Sequence, residues 1–151
     1  MAFLVGTWQG LGVVGYPTMT ESRFEQEAVF SHDGRPFLSY SSRTWLLDDE
    51  GERVRPSSHE SGFWRPGEGE RDVELVLAHP TGIVEVYLGE VVFHRIELAT
   101  DLVACTTTAK RVTGMKRLYG LVEGDLAYAV DMAAEGHPLQ AHFSARLVRA
   151  S

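Results

Sequence analysis

A chain of 151 residues with 14 Lys+Arg against 21 Asp+Glu carries a formal charge of −7 and has the length of one domain, residues 1–151. At 44% hydrophobic and 23% charged residues it is too apolar for disorder, and its excess of acid argues against nucleic acid as a partner. One cysteine, Cys105, excludes an intrachain disulfide, and no run approaches the ~18 apolar residues of a membrane-spanning helix. The first residues, MAFLVGTWQG, lack a basic leader region, so a cytoplasmic protein with no membrane partner is expected.

Helical periodicity is absent. Short segments rich in Val, Ile, Leu, Phe, Tyr and Thr are separated by turn residues such as Asp33-Gly34, Pro66-Gly67-Glu68-Gly69, Thr81-Gly82 and Glu123-Gly124. The pattern predicts strands near 6–14, 22–32, 36–47, 54–64, 71–79, 83–90, 91–99, 102–109, 111–121, 125–134 and 139–149, ten or eleven depending on merging. A single short helical turn is expected after Tyr16-Pro17-Thr18. So many strands joined by short turns predict an all-β fold: one antiparallel up-and-down β-barrel of about ten strands, lipocalin-like or fatty-acid-binding-protein-like.

Alternation assigns faces. Val73, Leu75, Leu77 and His79 share one, as do Leu126, Tyr128, Val130 and Met132, and as do Val84, Val86 and Leu88 opposite Glu85 and Tyr87. These apolar faces are expected to line the interior, with His79 and Met132 pointing inward near strand ends. His59 shares the phase of Phe63, which predicts an inward imidazole. His32, His94 and His137 are expected at the surface. His142 opens the last strand, where alternation groups it with Ser144 and Arg146 against Phe143, Ala145 and Leu147. Either a bulge resets the phase of that strand or the interior there is semi-polar.

No HExxH, paired-cysteine, GxSxG or P-loop motif is present. The glycines of Gly6-Thr7-Trp8-Gln9-Gly10-Leu11-Gly12 alternate on a strand phase, which places them where another backbone approaches closely.

That segment followed by Tyr16-Pro17-Thr18 resembles the GxWxGxG…YPT signature of the nitrobindins. Glu27-Ala28-Val29-Phe30-Ser31-His32, Pro36-Phe37-Leu38, His59-Glu60-Ser61-Gly62, Ala78-His79-Pro80-Thr81-Gly82 and Pro138-Leu139-Gln140-Ala141-His142 follow in register along the whole chain. The resemblance implies a ten-stranded barrel with heme b at one mouth, nitric oxide and peroxynitrite as ligands, and isomerisation of peroxynitrite to nitrate at ferric iron. It implies His142 as the axial iron ligand and catalytic residue, with Thr18 and Lys110 contacting the heme. His59, His79 and Met132 are added as pocket candidates from their phase. Arg146 departs from the small or apolar residue expected two steps beyond His142. The competing readings are a heme-free carrier of an apolar ligand and a nitric-oxide sensor, the protein being a monomer or a homodimer.

Overall fold

In a computed structural model that describes residues 1–151, the chain forms ten strands: β1 (Gly6–Tyr16), β2 (Met19–Ser31), β3 (Leu38–Leu47), β4 (Arg53–Pro66), β5 (Asp72–His79), β6 (Ile83–Val92), β7 (Arg95–Cys105), β8 (Val112–Val122), β9 (Asp125–Ala134) and β10 (His137–Arg149). Each pairs antiparallel with its chain neighbour, and β1 also pairs with β10, so the sheet closes into a barrel with no free edge. No helix is long and apolar enough to cross a membrane.

Three sequence expectations need correction. No helical turn follows Tyr16-Pro17-Thr18. Tyr16 pairs with Met19 across a two-residue turn, and the only helical residues are a 3-10 turn at Ala2–Leu4. The segments 91–99 and 102–109 are not separate strands. Residues 95–99 and 102–105 belong to one strand, β7, which bulges by one residue at Asp101, between the pairs Val86↔Leu102 and Tyr87↔Thr100, while Val91 and Val92 end β6 and 106–109 lie outside the strands. The true β6–β7 turn is Phe93-His94, which lacks glycine and proline; Phe93 takes φ 56° and stands 92% exposed.

The third correction concerns β6. Val84 and Leu88 face outward, while Glu85 and Tyr87 are buried in the interior. A carboxylate tolerates that place because the Tyr87 hydroxyl donates to it at 3.0 Å and the His79 Nε2 lies 2.8 Å away. On β5 and β9 the alternation holds: Val73, Leu75 and Leu77 of β5 and Leu126, Tyr128 and Val130 of β9 are all buried. Gly10 and Gly12 behave as expected of a tightly paired strand. A Cβ at Gly10 would meet the Arg146 carbonyl oxygen at 2.2 Å, and one at Gly12 the Ser144 carbonyl oxygen at 2.3 Å.

The end of the barrel that holds both termini is stoppered. Leu4 and Trp8 are fully buried, and the Trp8 Nε1–H donates to the Leu4 carbonyl at 2.8 Å. Arg149 lies over the indole at 4.2 Å and donates to the Phe3 carbonyl at 2.9 Å. Trp8→Ala therefore removes both a large buried ring and the anchor of the 3-10 turn. It should cost about 3–5 kcal/mol in urea unfolding; a variant of wild-type stability would contradict this role.

Candidate functional site

Opposite the end stoppered by Leu4 and Trp8 lies the other rim of the barrel. It is built from the β1–β2 turn at Pro17-Thr18, the β3–β4, β5–β6 and β9–β10 turns, and the 106–111 segment between β7 and β8. His142 sits just below this rim. Ala141 pairs with Asp131 and Phe143 with Val130, so His142 is the extra residue of a β-bulge on β10. The bulge resolves the phase conflict: beyond it Leu147 is buried, and Arg146 points outward to Asp125 at 2.8 Å. An imidazole is thereby freed from strict alternation and aimed independently of the core.

The half-buried His142 ring is held by two neighbours. Its Nδ1 lies 3.0 Å from the Gly15 carbonyl oxygen, and its edge meets the Tyr16 ring at a centroid distance of 5.4 Å. A carbonyl only accepts, so Nδ1 carries the proton and Nε2 presents a bare lone pair. Nε2 has no hydrogen-bond partner and is not sealed from solvent. Burial lowers the pKa of this histidine; the Gly15 bond opposes that shift, and the charges of Lys110 and Arg117 add to it. The neutral form prevails at neutral pH. A pocket of about 400 Å³ borders the ring, lined by Val13, Met19, Glu21, Asp131 and Ser144 among others.

Tyr16 fixes the geometry around this histidine. Its hydroxyl donates to the Met132 carbonyl at 3.0 Å and accepts from the Ala134 N–H at 3.0 Å, tying the end of β1 to that of β9. His137 also meets this ring edge-on, at a centroid distance of 5.8 Å. It is half-buried at the start of β10, rather than free in the turn as its Gly-His-Pro context predicts.

Deeper in the barrel lies a charged network that strand alternation did not reveal. Arg117, 2% exposed, makes a two-pronged ion pair with Glu60, both contacts at 2.9 Å. Its other N–H groups donate to the hydroxyls of Tyr87 at 2.9 Å and Tyr119 at 3.0 Å. Tyr40 donates to Glu60 at 2.6 Å, and Glu85 lies 3.8 Å from the guanidinium. Burial pushes the Glu60 carboxyl up, but the Arg117 charge and hydrogen bonds outweigh it and hold the pKa at about 2. Burial likewise raises Tyr40, Tyr87 and Tyr128 well above the usual phenol value, so all three stay protonated.

The expected site residues separate into two groups. Thr18, Lys110, Met132 and His142 all lie at the open rim: Thr18 is exposed in the β1–β2 turn, Lys110 in the β7–β8 segment, and Met132 packs against the core near the end of β9. His79 also lies at this end, but both ring nitrogens face carboxylates, Nε2 at 2.8 Å from Glu85 and Nδ1 at 4.0 Å from Glu60. His59 does not join them. It shares its face with Phe63 as expected, but that face is the outer one, since Glu60 and Trp64 take the buried phase of β4 and Phe63 is 49% exposed. The residues that sequence reading missed are Tyr16, His137 and Arg117. For Arg117 a signal existed, because Met115 and Tyr119 flank it two residues away on the buried phase.

The description of a THAP4-like, heme-binding beta-barrel domain matches residues 1–149. A peroxynitrite isomerase of Nocardioides sp. is 54% identical over 149 residues, covering 99% of this chain and 90% of the relative. A ferric nitrobindin-like protein of Kineococcus radiotolerans is 48% identical over 165 residues, covering 100% and 92%. The crystal structure of Rv2717c from M. tuberculosis superposes with a TM-score of 0.88 at 38% identity, covering 99% of this chain and 94% of the other. A bulge-borne imidazole at the open rim of a closed ten-stranded barrel accords with these likenesses, and the chain belongs to the THAP4-like, heme-binding β-barrel domain family.

Proposed function

We propose that His142 Nε2 would hold the iron of one heme b at the open rim, and that the loaded protein binds nitric oxide and isomerises peroxynitrite to nitrate. The observation that carries this reading is the hydrogen bond from His142 Nδ1–H to the Gly15 carbonyl. It fixes the tautomer and leaves a neutral, partner-free Nε2, the donor that heme iron takes from a histidine. The relatives named peroxynitrite isomerase supply the reaction.

Heme, when bound, supplies the ferric iron at which peroxynitrite rearranges. The chain's own residues do the rest. The Gly15 carbonyl keeps the imidazole from swinging and increases its basicity toward metal. Tyr16 blocks one side of the ring, and its two backbone bonds hold it there. Lys110 brings a positive charge close enough to act on His142, suited to the carboxylates of the cofactor or to an anionic substrate. Thr18 and Met132 frame the rim from the β1–β2 turn and β9. Arg117, Glu60 and Trp64 occupy the barrel interior below the rim. The protein is proposed to act in the cytoplasm, where Cys105 stays a free thiol.

Titration with hemin should give a Soret band that saturates at one heme per chain. Peroxynitrite decay should then accelerate in proportion to loaded protein, with nitrate as product. A protein that never takes up hemin, or a loaded protein that leaves decay unchanged, would overturn the reading.

The same site predicts a pH dependence. Protons compete with iron for Nε2, and the free imidazole of His142 has a lowered pKa. Heme should therefore be held at neutral pH and released only as pH falls below ~6.5, the ordinary histidine value. Soret absorbance followed against pH checks this; release on raising the pH from neutral would contradict it.

A further inference from the structure

All five tyrosines of the chain lie inside the barrel, none more than 8% exposed, and most stand in one column with a tryptophan. From the rim inward, the His142 and Phe143 rings are 5.2 Å apart between centroids, and Phe143 and Tyr128 5.9 Å. Tyr128 stacks on Tyr119 at 5.3 Å and 21°, Tyr119 meets Trp64 at 5.0 Å, and Trp64 meets Tyr40 at 6.0 Å. Aliphatic side chains would fill a barrel interior as well, but they could not lose an electron. Phenols and indoles in van der Waals contact can.

We propose that the column Tyr128–Tyr119–Trp64–Tyr40 is a one-electron relay that carries oxidising equivalents from the His142 rim into the barrel and settles them on Tyr40. The relay rests on the heme reading above. Its end point follows from proton chemistry, because a phenol that loses an electron becomes a strong acid and needs a base at its oxygen. The Tyr128 hydroxyl donates to the amide oxygen of Gln26, which is no base, and Tyr119 receives an N–H from cationic Arg117. Trp64 Nε1 has no acceptor at all. Tyr40 alone in the column donates to a carboxylate, Glu60 Oε1 at 2.6 Å. Tyr87 also has a carboxylate, Glu85, but no ring of the column contacts it.

The step balances as follows. Nitrogen dioxide radical, the one-electron oxidant that escapes from peroxynitrite, takes one electron through Tyr128, Tyr119 and Trp64 and becomes nitrite. Tyr40 loses that electron, and its phenolic proton passes to Glu60 Oε1, leaving a neutral tyrosyl radical beside a protonated carboxyl. A thiol or ascorbate, as one-electron reductant, restores Tyr40 and so spares the rim from oxidative damage.

The test uses heme-loaded protein mixed with peroxynitrite, frozen within milliseconds and examined by electron paramagnetic resonance. Nitrated residues are mapped in parallel by mass spectrometry. Wild type should give a tyrosyl signal and nitration at Tyr40. Tyr40→Phe keeps the ring packing and should lose both; Trp64→Phe should weaken both, because the path to Tyr40 is then broken. Circular dichroism and the Soret band verify folding and loading, and if Trp64→Phe does not fold, the Tyr40 variant decides. Loaded wild type without a protein radical, or an unchanged signal in Tyr40→Phe, overturns the relay alone. A chain that takes up no heme overturns the heme reading and the relay with it.

Discussion

His142→Ala should lose heme while keeping the barrel. The substitution removes the rim imidazole whose tautomer the Gly15 carbonyl fixes, and altering a second-shell partner alone typically costs ~10–100-fold in metal affinity. Loss of the ligand itself should therefore lower heme affinity by more than ~100-fold. The fold has little at stake, because His142 is the extra residue of a bulge and forms one hydrogen bond to Gly15. That bond contributes only about 1 kcal/mol. Hemin titration and far-ultraviolet circular dichroism separate the two effects. A variant with an unchanged Soret band and affinity would move the ligand assignment elsewhere, with His137, which also packs against Tyr16, as the next imidazole to examine.

Arg117→Met should do the reverse, unfolding the barrel readily while leaving the rim donors in place. Arg117 is the single cation facing Glu60 and Glu85 in the interior, apart from His79 if that ring is protonated. Removing it leaves two buried carboxylates without their counter-charge, a change that costs about 3–5 kcal/mol when one partner of a buried pair is deleted. Replacing Glu60 by Gln in the same chain should recover part of the loss, since the stranded charge is then gone. Urea unfolding of the single and double variants measures both, and an Arg117→Met cost below about 1 kcal/mol would show the network to be dispensable.

Acid probes the same pair. The Glu60 pKa is depressed to about 2 in the folded barrel, so its contribution is complete above the ordinary carboxylate value of ~4.3. It is lost as pH falls from there through about 2. Stability measured across that window should decline less steeply in Glu60→Gln than in wild type, and equal slopes would assign the acid sensitivity to other carboxylates.

Much of this architecture is legible in the residues because a strand has a period of two and its turns need particular chemistry. The alternation of Val73, Leu75 and Leu77, and of Leu126, Tyr128 and Val130, places the core correctly on β5 and β9. Reading fails where a polar side chain is buried with a partner from a distant strand. Glu85 looks like a solvent-facing residue until His79, Tyr87 and Arg117 surround it, and the whole inward face of β6 is then assigned backwards. His59 fails for the same reason, since Glu60 takes the inward phase only because Arg117, 57 residues later, neutralises it. The Phe93-His94 turn fails differently: it reverses the chain with no glycine or proline to announce it.

By itself, then, the sequence determined the all-β class, the number of strands within one, the family resemblance and His142 as the residue to watch. These depend on local periodicity and on motifs contiguous in the chain. Only the tertiary structure decided how His142 is presented. Bulge position is set by hydrogen-bond register between β9 and β10, and the free Nε2 by a carbonyl 127 residues away in β1. The ion-paired interior was also decided there, because a charge can face inward only where folding brings its counter-charge within hydrogen-bond reach.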